Sequence, residues 1–218
     1  MTTVQSFEVN YFSENTYIVY DETKEGVIID CGCMNKEEQQ LISRFVSEQQ
    51  LTLKRYLCTH LHLDHIFGNQ FVWKQYGLKP EASKADVEGL PSPIDQAKAF
   101  RLPLAIQEVA VEHFLAGGQI VQFGKTQLEV ISVPGHSPGG LAFYNRKNGF
   151  VIVGDSLFAG SIGRTDFGVA AKSCCKPLCA IGFCRFRMRP LSIQVMGRRH
   201  VSLMKNSVIP IYKYRLLF

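Results

Sequence analysis

Apolar positions along this chain follow two different periods. Val4 to Val9 and Thr16 to Asp21 read as strands, with Asn10 to Asn15 as the turn between them. Gly26 to Asp30 contains Val-Ile-Ile-Asp, a short buried strand that stops at Cys31-Gly32. From Asn35 to Gln50 the spacing becomes helical. Leu41, Ile42, Phe45 and Val46 fall at helical intervals, Asn35 stands at an N-cap position and acids fill the first turn. A run of Leu, Tyr, Leu and Cys over 53–58 predicts another buried strand, and Ile66 to Tyr76 is amphipathic.

The second half is less regular at first. Pro80, Pro91, Pro93 and Pro103 break up Leu78 to Val111, which predicts loops with short helices. Phe100, Leu102, Leu104 and Ile106 either line a pocket there or pack beneath a long loop. Ile120 to Phe123 and Gln127 to Val133 form a hairpin pattern around Gly124-Lys125, and Leu141 to Tyr144 pairs with Phe150 to Val153. Periodicity alone therefore gives an α/β chain with several strands.

A length of 218 residues is enough for one domain with a substantial core. No apolar run approaches the ~20 residues that span a bilayer, and Met1 to Ser6 lacks a basic segment followed by an apolar one. The seven cysteines are irregularly spaced, so reduced thiols in a cytoplasm are expected. Charge divides the chain sharply. Residues 1–168 hold 14 Lys and Arg and all 19 Asp and Glu, a net −5, whereas residues 169–218 hold 10 Lys and Arg and no acid.

The chemistry concentrates in Thr59-His60-Leu61-His62-Leu63-Asp64-His65, where three of the six histidines lie within six residues. His60 and His62 alternate, so an extended segment points both to one side. The stretch follows a strand and precedes a helix, a turn at which side chains converge. Neutral imidazole and carboxylate suit zinc, iron or manganese, and a His/Asp cluster this compact suggests two metals.

This motif resembles the signature of the metallo-β-lactamase superfamily, in particular its glyoxalase II-like (hydroxyacylglutathione hydrolase-like) members. Val133-Pro134-Gly135-His136-Ser137-Pro138-Gly139-Gly140 is similar to the second ligand loop of that family. Gly154-Asp155-Ser156-Leu157-Phe158 is similar to its bridging-aspartate segment, and Gly160 to Phe167, GSIGRTDF, to the stretch that follows in the glyoxalase II-like branch. The likeness runs from about Val4 to Gly168. It implies a four-layer αββα sandwich over residues 1–168, with the last layer incomplete, and no separate domain in residues 169–218. It also implies a ligand set: His60, His62 and His136 for one metal, Asp64 and His65 for a second, and Asp155 bridging. Zinc is expected, two per chain, with iron or manganese as alternatives. A metal-bound hydroxide then attacks a thioester of hydroxyacylglutathione type, or a related ester, with Asp64 as the catalytic residue that orients the nucleophile. Tyr144 and Arg164 are candidates on the substrate side, against the plainer roles of a packed ring and a salt bridge. Asp30 is a candidate support for the metal loop, or else a turn-capping carboxylate. The partner is a small molecule, with no nucleic acid and no membrane.

One element of the family pattern is missing. The second metal takes a further histidine from a late Pro-Gly-His-Gly loop, yet His200 is the only histidine after His136, and Gly197-Arg198-Arg199-His200 is not that loop. The tail instead holds Cys174, Cys175, Cys179, Cys184 and clustered arginines. A separate zinc or nucleic-acid module is one reading of this tail, without a paired CxxC pattern to support it; the other, taken as the hypothesis, is a one-base shift of reading frame near Gly168. In the shifted frame, Ser192 to Gly197 can encode Tyr-Pro-Gly-His-Gly, preceded by a helical run and a strand in family order. As written, the chain is expected to lack the closing helix and strand of its second half. A catalytically impaired remnant or a mononuclear metal-binding protein is then the alternative function.

Overall fold

In the computed structural model the described residues are 1–103, 106–158, 161–165, 190–196 and 212–214. The first half opens with β1 (Thr3–Val9), β2 (Glu14–Tyr20) and β3 (Glu25–Ile29), followed by α1 (Lys36–Glu48) and β4 (Thr52–Leu57). The turn after β1 depends on Asn10, which sits at φ +51°, a left-handed conformation that asparagine tolerates better than most residues. Asn35 caps α1 as predicted. Its side chain accepts from the Glu38 amide at 2.9 Å, and Glu38 reaches back to the Asn35 amide, closing a capping box.

The amphipathic run from Ile66 to Tyr76 is broken after its first residue: α2 (Leu63–Ile66) ends there and α3 (Asn69–Tyr76) follows. The interruption falls at Gly68, whose amide donates to the Cys31 carbonyl at 2.8 Å. A Cβ added there would lie 2.4 Å from the Cys31 sulfur, so the chain must turn at a residue without a side chain. Beyond it come β5 (Pro80–Ala82), α4 (Lys84–Gly89), α5 (Pro93–Ala99) and β6 (His113–Phe114). The short helices match expectation. The two short strands do not, since two or three residues leave no readable period.

Sheet one has the order β1-β2-β3-β4-β5-β6, antiparallel through β3 and parallel from β3 onward. Sheet two contains β7 (Ile120–Phe123), β8 (Thr126–Ser132), β9 (Leu141–Asn145) and β10 (Phe150–Ile152), continued by β13 (Pro190–Met196) and β14 (Tyr212–Tyr214) in the order β14-β13-β10-β9-β8-β7. Two short strands, β11 (Leu157–Phe158) and β12 (Ser161–Ile162), pair with each other. The closing strand that the chain was expected to lack is thus present as β13, parallel to β10. Leu191, Ile193 and Val195 alternate with Ser192 and Gln194, a period that suits a strand. The expected absence of a closing helix concerns residues 169–189, which lie outside the described residues.

The sheets face each other across a core of Tyr17, Val19, Val27, Ile29 and Leu57 from sheet one and Val121, Phe123, Leu128, Val130, Phe143 and Ile152 from sheet two. The other face of sheet one packs Ile18, Ile28 and Tyr56 against Ile42 and Val46 of α1. Both faces of β2 and β3 are therefore buried, which is why their sequences read as continuous apolar runs. Leu41, predicted on the buried face of α1, is 46% exposed. Phe45 takes that place, edge-on to Phe7 at 5.3 Å and to Tyr20 at 6.0 Å between ring centroids. The described residues form an α/β sandwich with α1 packed on the outer face of sheet one.

Candidate metal centre

Four strand ends deliver the polar residues. β3 ends at Asp30, β4 at the 59–65 loop, β8 at the loop bearing His136, and β10 at a 3₁₀ turn, Gly154–Ser156, bearing Asp155. Asp30 sits at φ +50°, which turns its carboxylate back toward the loop after β4. There it accepts from the Thr59 amide at 2.7 Å, the Thr59 hydroxyl at 2.6 Å and His65 Nδ1 at 3.1 Å. The supporting role considered for Asp30 is thus the one the geometry displays. Gly154 lies against the same threonine; a Cβ there would be 2.2 Å from Thr59 Oγ1. The two sheets are joined here as well, since the Leu141 amide donates to the Thr59 carbonyl at 2.8 Å.

Three imidazoles, His60, His62 and His136, each offer a ring nitrogen, and these atoms lie within 4.8 Å of one another. His62 Nδ1 and His136 Nε2 are 2.9 Å apart. A second group, His60, His65 and Asp155, meets the same limit. Asp155 faces both: one oxygen is 3.2 Å from His65 Nε2 and the other 3.6 Å from His136 Nε2. Asp64 Oδ2 stands 3.7 Å from His65 Nε2. The fold therefore gathers all six residues expected as ligands, from loops up to 95 residues apart in sequence (His60 to Asp155).

The donors suit a divalent cation. Burial lowers the His62 pKa to about 4, helped by the neighbouring His136, so the ring is neutral at pH 7. Burial also depresses His136, against the pull of Asp155. Neutral imidazoles are the form that coordinates a metal. His65 behaves oppositely: burial alone would lower it, but the Asp64 and Asp155 carboxylates overcome that and hold it well above the usual range. Converging neutral imidazoles beside a group of carboxylates form an electrostatic environment that a cation matches.

The two substrate-side candidates are placed differently. Tyr144 is buried on the opposite face of sheet two, among Val133, Ala142, Val151 and Val153, with the Arg146 guanidinium 5.9 Å from its ring centroid. Its packing role prevails because it follows Phe143 in β9, and successive strand residues face opposite sides. Arg164 is exposed, and its backbone carbonyl is 2.8 Å from His136 Nδ1. It orients that ring through the main chain, a contact indifferent to side-chain identity.

Sequence reasoning missed Asp86. Its carboxylate accepts from the Leu61 amide at 3.0 Å and the Ser137 hydroxyl at 3.1 Å, and from the Gly139 amide at 2.5 Å, fastening the His60–His62 loop to the His136 loop. It also missed Gln96, which accepts from the Leu63 amide at 2.9 Å and donates to the Leu61 carbonyl at 3.0 Å. Asn10, from the β1–β2 turn, donates to the carbonyls of Gly32 and Asp64, each at 2.9 Å. All three bind chiefly backbone groups, which leave no motif.

Comparison with known proteins places this architecture. The family model for the metallo-beta-lactamase superfamily matches residues 9–192, and the chain belongs to that superfamily. The match continues past Gly168, where the motif likeness ends, into the start of β13. A hydroxyacylglutathione hydrolase, GloC, of Haemophilus influenzae is 33% identical over 168 residues, covering 75% of this chain and 76% of that protein. A hydroxyacylglutathione hydrolase of Legionella pneumophila (strain Paris) is 31% identical over 156 residues, covering 72% of this chain and 53% of the relative. Among solved structures, TTHA1623 in a di-iron-bound form superimposes with a TM-score of 0.69 at 26% identity, over 90% of this chain and 92% of that one. The B3 metallo-beta-lactamase BLEG-1 gives a TM-score of 0.66 at 27% identity, over 75% of this chain and 77% of that one. The coarse class is therefore a metallo-hydrolase fold with a histidine-rich candidate metal centre.

Proposed function

We propose that this protein hydrolyses a thioester, of hydroxyacylglutathione type, at a centre built from His60, His62, Asp64, His65, His136 and Asp155. The observation that carries the reading is the pair of adjoining ligand groups that share His60 and are spanned by Asp155. The resemblance of the chain to hydroxyacylglutathione hydrolases supports this substrate class. His60, His62 and His136 would hold one cation, and His65 and Asp64 a second, with Asp155 between them. Zinc is the expected metal, with iron or manganese as alternatives. Bound cations at such a centre polarise a carbonyl and lower the pKa of water toward neutrality.

The residues of the chain do the rest. Asp64, whose Oδ2 lies 3.7 Å from His65 Nε2, would orient the attacking water. Asp30 holds the His65 ring through Nδ1, and the Arg164 carbonyl holds His136 in the same manner. In the overall reaction water adds to the acyl carbon and the C–S bond breaks, giving a carboxylic acid and a free thiol.

One observation favours a second reading, a mononuclear or catalytically impaired protein: the sequence has no Pro-Gly-His-Gly loop after Asp155. Elemental analysis of the purified protein, with turnover of lactoylglutathione, separates the two. Two metals per chain with thioester turnover supports the hydrolase. One or none, without turnover, overturns it in favour of the second reading.

A further inference from the structure

Three aromatic residues from separate segments meet just past the end of the 59–65 loop. Phe12 lies in the β1–β2 turn, Phe67 follows α2 and Phe100 ends α5. The Phe12 ring stacks on Phe67 at 6.5 Å between centroids with 27° between planes, and meets Phe100 edge-on at 6.2 Å. Phe100 is 54% exposed, and Tyr11 beside Phe12 is 87% exposed. Folding has thus gathered a contiguous aromatic surface and left part of it in water, an arrangement that marks a binding site more often than chance.

Its place in the molecule suggests what it binds. Phe67 is three residues beyond Asp64 along a helical turn, so the two side chains lie on one face. Asn10 fixes the Phe12 turn to the same spot, donating to the Asp64 carbonyl and accepting from the Phe12 amide at 2.9 Å. Gln96 pins α5, and with it Phe100, to the backbone of Leu61 and Leu63. Each aromatic is therefore tied by a hydrogen bond or a helical turn to the loop carrying the candidate ligands.

We infer that Phe12, Phe67 and Phe100 form a subsite for the acyl chain of the substrate, favouring acyl groups that carry a longer apolar or aromatic chain over the shortest ones. This rests on the hydrolase reading above and adds a preference to it. A substrate with its carbonyl at the histidine cluster would lay an acyl chain of a few carbons over Asp64 onto these rings. Aromatic walls fix such a chain by area and shape without hydrogen bonds.

The test uses N-acetylcysteamine thioesters, which carry no glutathione, so acyl preference is read apart from recognition of the thiol. Metal-loaded protein is expected to show kcat/KM at least about tenfold higher for the hexanoyl than for the acetyl thioester, given the added apolar area. Phe100→Ala, at a half-exposed position that does not support the core, brings the ratio toward unity, and Phe100→Leu keeps part of it. Phe114→Ala, 47% exposed on β6, keeps the wild-type ratio. Equal rates for both thioesters, or a ratio unchanged in Phe100→Ala, overturn the subsite and leave the hydrolase reading standing. If neither thioester is cleaved but lactoylglutathione is, the hydrolase reading stands and calorimetry decides the subsite; if lactoylglutathione is not cleaved either, the hydrolase reading fails and calorimetry decides the subsite alone. Binding of the S-hexyl thioether of N-acetylcysteamine that Phe100→Ala weakens at least fivefold supports it, and no binding overturns it.

Discussion

At the scale of single residues, the candidate centre depends on carboxylates that no motif announces. Asp86 is 1% exposed and accepts three hydrogen bonds from two loops. Asp86→Ala leaves the Leu61 and Gly139 amides and the Ser137 hydroxyl to find other partners, at about 1–3 kcal/mol for each donor that stays dry. Urea unfolding should show a loss of about 3 kcal/mol or more, and metal affinity should fall about 10–100-fold because both ligand loops loosen. Asp30→Asn tests orientation separately. It keeps the size of the side chain but removes the charge that faces His65 Nδ1, so metal affinity should fall by a similar factor with a smaller loss of stability. A metal titration followed by competition with a chelator reads both. The motif residues His60, His62, Asp64 and His65 were legible because ligand chemistry restricts residue type at fixed spacing. Asp86 was not, since its partners are backbone amides that any sequence supplies.

At the scale of elements, the turns that join the sheets carry their own pH dependence. Asp21, at the end of β2, accepts from the Thr23 amide and hydroxyl on its own turn, and from the Lys125 amide and Thr126 hydroxyl of the β7–β8 hairpin. Burial would raise its carboxyl, but these hydrogen bonds outweigh burial and bring the pKa down from 3.8 to about 2. A depressed folded-state value stabilises the protein above the unfolded pKa, and the contribution is lost as pH falls from about 4 to about 2. The shift corresponds to at most about 2.4 kcal/mol, which solvent screening at this turn brings to about 1–2 kcal/mol. Asp21→Asn should flatten the stability curve across that window and leave its shape near pH 7 unchanged, as read by denaturant midpoints at successive pH values. The element boundaries of α1 and of the β7–β8 hairpin were legible from capping and turn residues. The break between α2 and α3 was not, because the constraint on Gly68 comes from Cys31, 37 residues earlier.

At the scale of the whole molecule, one inter-sheet core and one metal-binding edge hold the described halves together. Phe143 is fully buried between the sheets. Phe143→Ala should cost about 3–5 kcal/mol, seen as a lower denaturant midpoint with little change in m-value. Metal binding adds to this by mass action. At free metal about 1,000-fold above Kd, stabilisation approaches ~4 kcal/mol, so a chelator should lower Tm and added zinc should restore it. An identical Tm with and without chelator would count against a centre that binds only the folded state. The frame-shift reading of residues 169–218 also belongs at this scale. DNA sequencing across the codons for Asp166 to Phe218 should find one inserted or missing base near Gly168. A confirmed frame removes that explanation and favours the mononuclear reading.

By itself the sequence determined the candidate ligand residues and the alternation of strands and helices around them, because ligand type and apolar period are local constraints. It also pointed to β3 and β4 as buried strands. Only the tertiary structure decided that His60 and His62 meet His136 and Asp155, that Asp86 fastens the two ligand loops, and that Tyr144 faces away from the centre. These depend on how two sheets pack and on backbone groups brought together across the chain. A linear pattern records what each residue is, while contact between distant loops is fixed only when the core closes.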